Sequence, residues 1–383
     1  MSQEPSRPDR PLRVVLAGGG TAGHVEPALA VADALRRRDP ATEVTVVGTA
    51  RGIETRLVPE RGYRLELVPA VPVPRRASVD LLSLPGRVRT ATAAAEKVLA
   101  QTRADVLAGF GGYASAPAYL AARRRHVPYV VHEANARPGL ANRLGARWTP
   151  WVAVAVPGTR LAHATYTGMP LRLAISTLDR AASRAEGARA FGLDPAAPTL
   201  LAFGGSQGAR RINTAVSGAV DEIVSAGAQV LHVVGPANLA GDATADVDGS
   251  YSYEERYVRL AYCDRMDLAY AAADLVLCRA GMTTCAELAA VGLPAAYVPL
   301  PIGNGEQRLN AEPVVAAGGG LLVEDAACTP QWVREQVLPL LLDPDRLARM
   351  SSAAAGLGVR DADERLADMV LAAAGRPTGR AAS

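Results

Sequence analysis

The chain has 383 residues, of which 49% are apolar and 21% charged, and a formal net charge of +3. The length suits about two domains. The apolar content builds ordinary buried cores and excludes a disordered chain, and so small a charge gives no argument for nucleic acid. Positive charge is almost wholly arginine, with Lys97 the single lysine. Cys263, Cys278, Cys285 and Cys328 form no C-x-x-C pair. Their spacing suits neither zinc nor a disulfide framework, so they are expected as small buried residues in a reducing compartment, with no metal bound. The opening "MSQEPSRPDRP" is polar and proline-broken, unlike a signal peptide. No window reaches the ~18 apolar residues of a membrane span, so a cytoplasmic protein is expected, free to lie against a membrane.

In chain order, "LRVVLA" reads as a strand, "GGGTAGH" (18–24) as a glycine turn and "VEPALAVADAL" as a helix. Gly18, Gly20 and Gly23 satisfy G-x-G-x-x-G, the dinucleotide fingerprint. That reading also needs an acid at the end of the second strand, "EVTVVG", and Glu43 stands at its start. His24 directly follows the glycines; with a pKa near working pH it is a candidate base. "DVLAGF" leads into a second glycine turn, "GFGGYASAP" (109–117), whose amides at a helix start favour an anion. "YVVHE" ends in "HEANARPGLANR" (132–143), placing His132, Glu133 and Asn135 at a strand end. "WVAVAV" completes the first set, and the join is expected near "YTGMPLRLAIS", 166–176.

The pattern then restarts. "TLLAFGGSQGARRINTAVSGAV" is again strand, glycine turn and helix, with Ser206 adding a hydroxyl donor to the phosphate cradle of 204–213. It is not G-x-x-x-x-G-K-[ST], which excludes a P-loop NTPase. Further strands are expected at "QVLHVVG", "YVRLAYC", "ADLVLCR", "AAYVPL" and "GLLVE". In "CRAGMTTCAEL" (278–288), Glu287 falls in a helix's early turns and could accept both hydroxyls of a ribose. In "PLPIGNGEQRLNA" (299–311), Glu306, Gln307 and Asn310 could read sugar hydroxyls. D-x-D triplets at 246–248, 343–345 and 361–363 lie away from strand ends, and His126, His163 and His232 have no partner at ligand spacing. Continuous Val/Leu/Ala runs alternating with helices predict an α/β chain of two Rossmann-like, doubly wound domains. Ligands sit beyond the carboxyl ends of such strands, which in two facing sheets would line a cleft. The expected bounds are 11–168 and 169–362, with a last helix at 363–375 that could pack back on the first domain.

Six loops in this order, "GGGTAGHVEPALA", "GFGGYASAP", "HEANARPGLANR", "TGMPLR", "GGSQGARRIN" and "RAGMTTCAEL", resemble the MurG family of inverting glycosyltransferases. The resemblance covers about residues 12–325. It implies a GT-B fold and transfer of N-acetylglucosamine from UDP-N-acetylglucosamine to the C4 hydroxyl of the muramyl sugar of a lipid-linked muramyl-pentapeptide, a step of bacterial cell-wall synthesis tied to cell shape and division. No cofactor is implied. On the donor side it implies Ser206 with the amides around Gly205 and Gln207 on phosphate, Arg172 near the nucleotide and the Cys263 backbone on uracil. Met282, Thr283 and Thr284 would line the diphosphate, Glu287 would hold the ribose, and Glu306 and Gln307 would face the sugar. Thr21, Ala22, Gly23 and Asn135 would reach the donor sugar or acceptor, and Gly19, Gly20, Gly111, Gly112 and Tyr113 would cradle the acceptor diphosphate. His24 is the expected base, Glu133 the second candidate.

Three departures stand out: Ala22 where the family has glycine, Glu306 in a loop that elsewhere reads His-Gln or Gln-Gln, and Ala134 in "HEAN" where the family has glutamine. The acceptor is membrane-anchored, and "VPVPRRASVDLLSLPGRVR" (71–89) mixes Leu81, Leu82 and Leu84 with Arg75, Arg76, Arg87 and Arg89, a composition suited to the cytoplasmic membrane surface. The same stretch also reads as a helix packed on its own core. The alternatives are another UDP-sugar enzyme of this fold, such as a non-hydrolysing 2-epimerase, a non-catalytic nucleotide-sugar binder, and, last, a nicotinamide oxidoreductase.

Overall fold

The computed structural model describes residues 10–72, 80–205, 209–239, 250–253, 256–301 and 305–378. The chain divides into two compact units: residues 1–172 with 361–383, and residues 173–360.

Unit 1 is built on seven strands: β1 (Arg13–Ala17), β2 (Glu43–Gly48), β3 (Arg64–Leu67), β4 (Val106–Gly109), β5 (Tyr129–Glu133), β6 (Val152–Val154) and β7 (Ala164–Tyr166). Their order is β3-β2-β1-β4-β5-β6-β7, and every pair is parallel. The reversal of winding between β1 and β4 is the switch point at which α/β sheets hold ligands. The central strands are buried apart from Arg13 at the start of β1, because helices cover both faces. One face packs on α1 (Ala22–Arg38), the other on α3 (Asp80–Gln101) and α4 (Ser115–Arg124).

The closing helix, Ala362–Ala373, belongs to this unit: Leu366, Ala367 and Val370 lie in the same core as Leu29 and Leu35 of α1. Ion pairs flank that contact. Arg37 reaches Asp363 at 2.5 Å and Glu364 at 2.6 Å, while Arg38 reaches Glu364 at 2.7 Å and Asp368 at 2.5 Å.

Unit 2 repeats the plan with β8 (Thr199–Phe203), β9 (Gln229–Val233), β10 (Ser250–Tyr253), β11 (Tyr257–Leu260), β12 (Leu275–Cys278), β13 (Ala295–Tyr297) and β14 (Gly320–Leu322), ordered β10-β11-β9-β8-β12-β13-β14. All pairs are parallel except β10–β11. The sequence reading missed β3, β7 and β10. All three are edge strands; β7 is exposed along its whole length, and β3 is exposed at both ends and half-buried between them, so neither needs the apolar run that marks a covered strand. The four cysteines are free and buried, as expected.

Candidate active site

In unit 1 the carboxyl ends of β1, β2, β4 and β5 bring four loops together. The first runs from Gly18 into α1. Its Thr21 is extended (φ −129°, ψ 158°) and makes no side-chain cap, and no acid occupies the first turn. Backbone N–H groups at the start of this 17-residue helix therefore face outward, where an anion is favoured. The loop is held from beneath by Glu54, the first residue of α2 (Glu54–Glu60). This fully buried carboxylate accepts from Gly20 N at 2.9 Å, Thr49 N at 2.8 Å and Thr49 Oγ1 at 3.0 Å. Three glycines make room for it: a Cβ on Gly19, Gly48 or Gly52 would stand 2.3, 2.5 or 1.8 Å from Glu54 atoms.

The second loop, after β4, packs directly on the first. Gly112 has φ +78°, and a Cβ there would lie 2.4 Å from Gly19 O. Gly111 (φ +95°) is the floor under the His24 ring, whose Nε2 would stand 3.0 Å from a Cβ. On its other edge His24 Nδ1 meets Thr21 Oγ1 at 3.3 Å. Burial lowers the pKa of His24 below 6.5, against the opposing pull of Glu133, the Gly19 backbone and Glu54. Imidazole is thus the neutral form at pH 7.

Glu133 ends β5 and is itself buried. Its Oε1 accepts from Asn135 N, and its Oε2 from Gly139 N and Asn142 Nδ2, all at 2.9 Å. Asn142 is fixed in turn by donating to His132 O at 2.9 Å and accepting from Tyr119 OH at 2.8 Å. His132 is buried against Phe110, with ring centroids 5.4 Å apart, and desolvation takes its pKa down to about 4.

In unit 2 the helix Met282–Val291 opens after β12 with no side-chain cap on Gly281 and no acid in its first turn. Glu287 is buried one turn further on, and its Oε2 accepts from Tyr270 OH at 2.8 Å. The surrounding loops are tied to each other. Arg279 pairs with Asp325 at 2.6 Å and donates to Val298 O at 3.1 Å. Gln307 Oε1 accepts from Leu300 N at 3.0 Å, which fixes the side-chain amide. Asn310 Nδ2 donates to Ala280 O at 3.3 Å. Cys263 is buried in the loop after β11. On β9, His232 lies between Tyr257 OH (3.0 Å) and Asn213 Oδ1 (3.2 Å), with burial lowering its pKa to about 3. It is a neutral strut holding the helix Arg210–Ser217 on the sheet.

Each unit matches a family profile. Residues 14–154 match the glycosyltransferase family 28 N-terminal domain, and residues 199–366 the family 28 C-terminal domain. The chain belongs to glycosyltransferase family 28. Among its relatives, proteins of Streptomyces coelicolor and Acidothermus cellulolyticus are 60% and 61% identical over 94% and 95% of this chain and 98% of theirs. Both are named UDP-N-acetylglucosamine–N-acetylmuramyl-(pentapeptide) pyrophosphoryl-undecaprenol N-acetylglucosamine transferase. The crystal structure of Acinetobacter baumannii MurG superposes with a TM-score of 0.73 at 27% identity, over 94% of this chain and all of that one. The protein is accordingly a glycosyltransferase of GT-B fold and a member of the MurG group.

Of the residues singled out from sequence, Gly19, Gly20, Thr21, Ala22, Gly23, His24, Gly111, Gly112, Glu133 and Asn135 converge in unit 1, with Tyr113 half exposed at the rim. Arg172 also lies in unit 1, its Nε 3.9 Å from Glu26 of α1. Met282, Thr283, Thr284, Glu287, Cys263, Glu306 and Gln307 lie in loops or early helix turns after strands of unit 2. Ser206, Gln207, Arg75, Arg76 and the 246–248 triplet lie outside the described residues, as do the side chains of Leu81 and Leu82. Leu84 and Arg87 are partly exposed and Arg89 exposed on α3. Sequence reasoning missed Glu54 and Asn142; His232, expected as a structural residue, is one, held between Tyr257 and Asn213. Glu54 follows the end of β2 by six residues, and the only sign of it was the glycine content of "GGG" and "GTARG" on either side.

Proposed function

We propose that this protein transfers N-acetylglucosamine from UDP-N-acetylglucosamine to the C4 hydroxyl of the muramyl sugar of undecaprenyl-diphosphate-linked muramyl-pentapeptide, with inversion. The reading is carried by 60% identity over nearly the whole of both chains to relatives bearing that activity in their names. The geometry supports a role for each part.

Unit 1 takes the acceptor. The uncapped start of α1 and the amide of Gly112 hold its diphosphate, while the Gly111 amide donates to Ser115 Oγ at 3.0 Å and fixes the loop between them. With Nδ1–H donated to Thr21, His24 Nε2 carries the lone pair that takes the C4 proton. Glu133, both of whose oxygens already accept hydrogen bonds, orients the 134–142 loop and places negative charge near the imidazolium as it forms. Asn135 and the backbone at Thr21, Ala22 and Gly23 meet the sugars.

Unit 2 takes the donor. Glu287 accepts the ribose hydroxyls, the Cys263 backbone meets uracil, and Glu306 and Gln307 face the sugar. The first-turn amides at Met282, Thr283 and Thr284 and the 204–209 loop with Ser206 stabilise the departing diphosphate.

Among the described residues no helix is long and apolar enough to cross a membrane. We place the protein peripherally on the cytoplasmic face, through 71–89 and the exposed Leu67, Tyr113 and Leu140 of unit 1. The test is transfer of label from UDP-N-acetylglucosamine to a short-chain lipid-linked muramyl-pentapeptide. Label in the lipid product, lost in His24→Ala with UDP binding intact, supports the reading; UDP-sugar binding without transfer overturns it.

A further inference from the structure

In unit 2, Asp325 stands three residues past the edge strand β14, outside every glycine loop. Its side chain nonetheless reaches two other segments at the carboxyl ends of the strands. It pairs with Arg279, the residue that follows β12, at 2.6 Å, and more loosely with Arg211 of helix Arg210–Ser217, at 3.9 Å. The first pair is largely buried, with side-chain exposures of 13% for Arg279 and 19% for Asp325, whereas Arg211 is 47% exposed. An exposed ion pair is worth little, so the buried pair is the one that fixes position.

Arg279 passes that constraint on. The same Nη1 that meets Asp325 donates to Val298 O at 3.1 Å and to Pro299 O at 3.4 Å. These carbonyls begin the connection from β13 to helix Glu306–Ala316, whose first residues, Glu306 and Gln307, are assigned to the donor sugar. The next residue, Leu300, donates its N–H to Gln307 Oε1 at 3.0 Å. An unbroken line of contacts therefore runs from the Asp325 carboxylate through Arg279 and the 298–300 backbone to the Gln307 amide.

Arginines that only brace this sheet are bonded differently. At the amino ends of the unit 2 strands, Arg180 donates through all three nitrogens, to Tyr270 O, Gly292 O and Ala273 O. Arg184 meets both oxygens of Asp274 and the carbonyls of Pro195 and Ala197. Arg279 works from Nη1, and its Nε is buried without a hydrogen-bond partner among the described residues. Asp325 Oδ1 likewise makes no hydrogen bond there, so charge alone holds the pair. A guanidinium fixed this way shifts when the charge is lost, and the backbone it holds shifts with it.

We propose that Asp325 is a positioning residue for recognition of the donor sugar: it holds Arg279, and through it the 298–300 backbone and the Gln307 amide, in place. The inference rests on the assignment of unit 2 to the UDP-sugar. The adjacent acid, Glu324, pairs with Arg308, but both side chains are exposed and the pair has no route to Gln307 through Arg279. It serves as the control.

Calorimetric titration of the full chain with UDP and with UDP-N-acetylglucosamine separates the sugar from the nucleotide. Asp325→Asn should weaken UDP-N-acetylglucosamine by about tenfold while UDP stays within about twofold of wild type, the size of effect that a slightly displaced binding group produces. Asp325→Glu keeps the charge but moves it outward; it should show a smaller loss of the same pattern, and it decides the matter if Asp325→Asn does not fold. Glu324→Gln should leave both affinities unchanged. The proposal is overturned if the Asp325 variants weaken both ligands equally, if they weaken neither, or if Glu324→Gln reproduces the pattern. A wild-type chain that binds no UDP removes the donor assignment itself, and this proposal with it.

Discussion

Replacing Glu54 separates loop support from chemistry. In Glu54→Ala the buried Thr49 N–H loses its acceptor, which costs about 1–3 kcal/mol. The space walled by Gly19, Gly48 and Gly52 adds a cavity cost of similar order. The Gly20 N–H, on an exposed residue, recovers a bond to water. A total near 3 kcal/mol lowers the melting temperature of a unit this size by roughly 6–12 °C. Glu54→Gln is the sharper test. One amide oxygen still serves Thr49, but the NH2 faces the Gly20 N–H, donor against donor, so the fold survives and the first loop shifts. The acceptor KM should rise about tenfold with donor KM unchanged, because misplacement of a binding loop by a fraction of an ångström has effects of that size. Thermal denaturation and two-substrate kinetics check both variants. Wild-type acceptor kinetics in Glu54→Gln, or a Glu54→Ala protein melting within about 1 °C of wild type, would refute the clamp.

Four further outcomes are expected. Because burial lowers the His24 pKa and the neutral ring is the base, the acid limb of kcat/KM should be centred below pH 6.5; an acid limb centred at or above 6.5 counts against His24. The folded-state pKa values of His132 (about 4) and His232 (about 3) are depressed. Their contribution is complete above pH 6.5 and lost as pH falls from there, at about 1.4 kcal/mol per pH unit for each ring; chemical denaturation of His132→Phe between pH 7 and 4 should show a flatter slope. Gly112→Ala combines φ +78° with a 2.4 Å approach to Gly19 O and should abolish transfer, whereas Gly20→Ala (φ +91°, nothing within 4 Å) costs only about 1 kcal/mol of strain; equal effects in a paired assay contradict the packing of the two loops. Glu287→Ala should weaken UDP binding by about tenfold or more by calorimetry, and unchanged affinity removes it from the ribose.

The repeated strand–glycine–helix openings made the two parallel sheets readable from sequence, since covered strands announce themselves as unbroken Val/Leu/Ala runs. Edge strands such as Ala164–Tyr166 do not, because solvent accepts whatever side chains they carry. The glycines at 18–20 and 111–112 pointed to the loops but not to what holds them. Glu54 and Asn142 act through the backbone of other segments, and no local spacing marks a residue whose partner lies across the fold. Glu133 shows the converse: its place at a strand end was legible, while its three hydrogen-bond donors, which decide whether it can take a proton, came only from the structure.

The closing helix has a consequence for how the protein is made. Leu366, Ala367, Val370 and Ala374 complete a core whose other buried members were synthesised in the first 153 residues. On the ribosome, unit 1 must therefore wait through the whole of unit 2, roughly 10–40 s at ordinary elongation rates, with the apolar face of α1 uncovered. The nascent chain offers a chaperone a binding surface for that interval. A stop codon that removes only the last helix would leave the glycine loops intact in sequence but expose the face of α1 opposite the sheet.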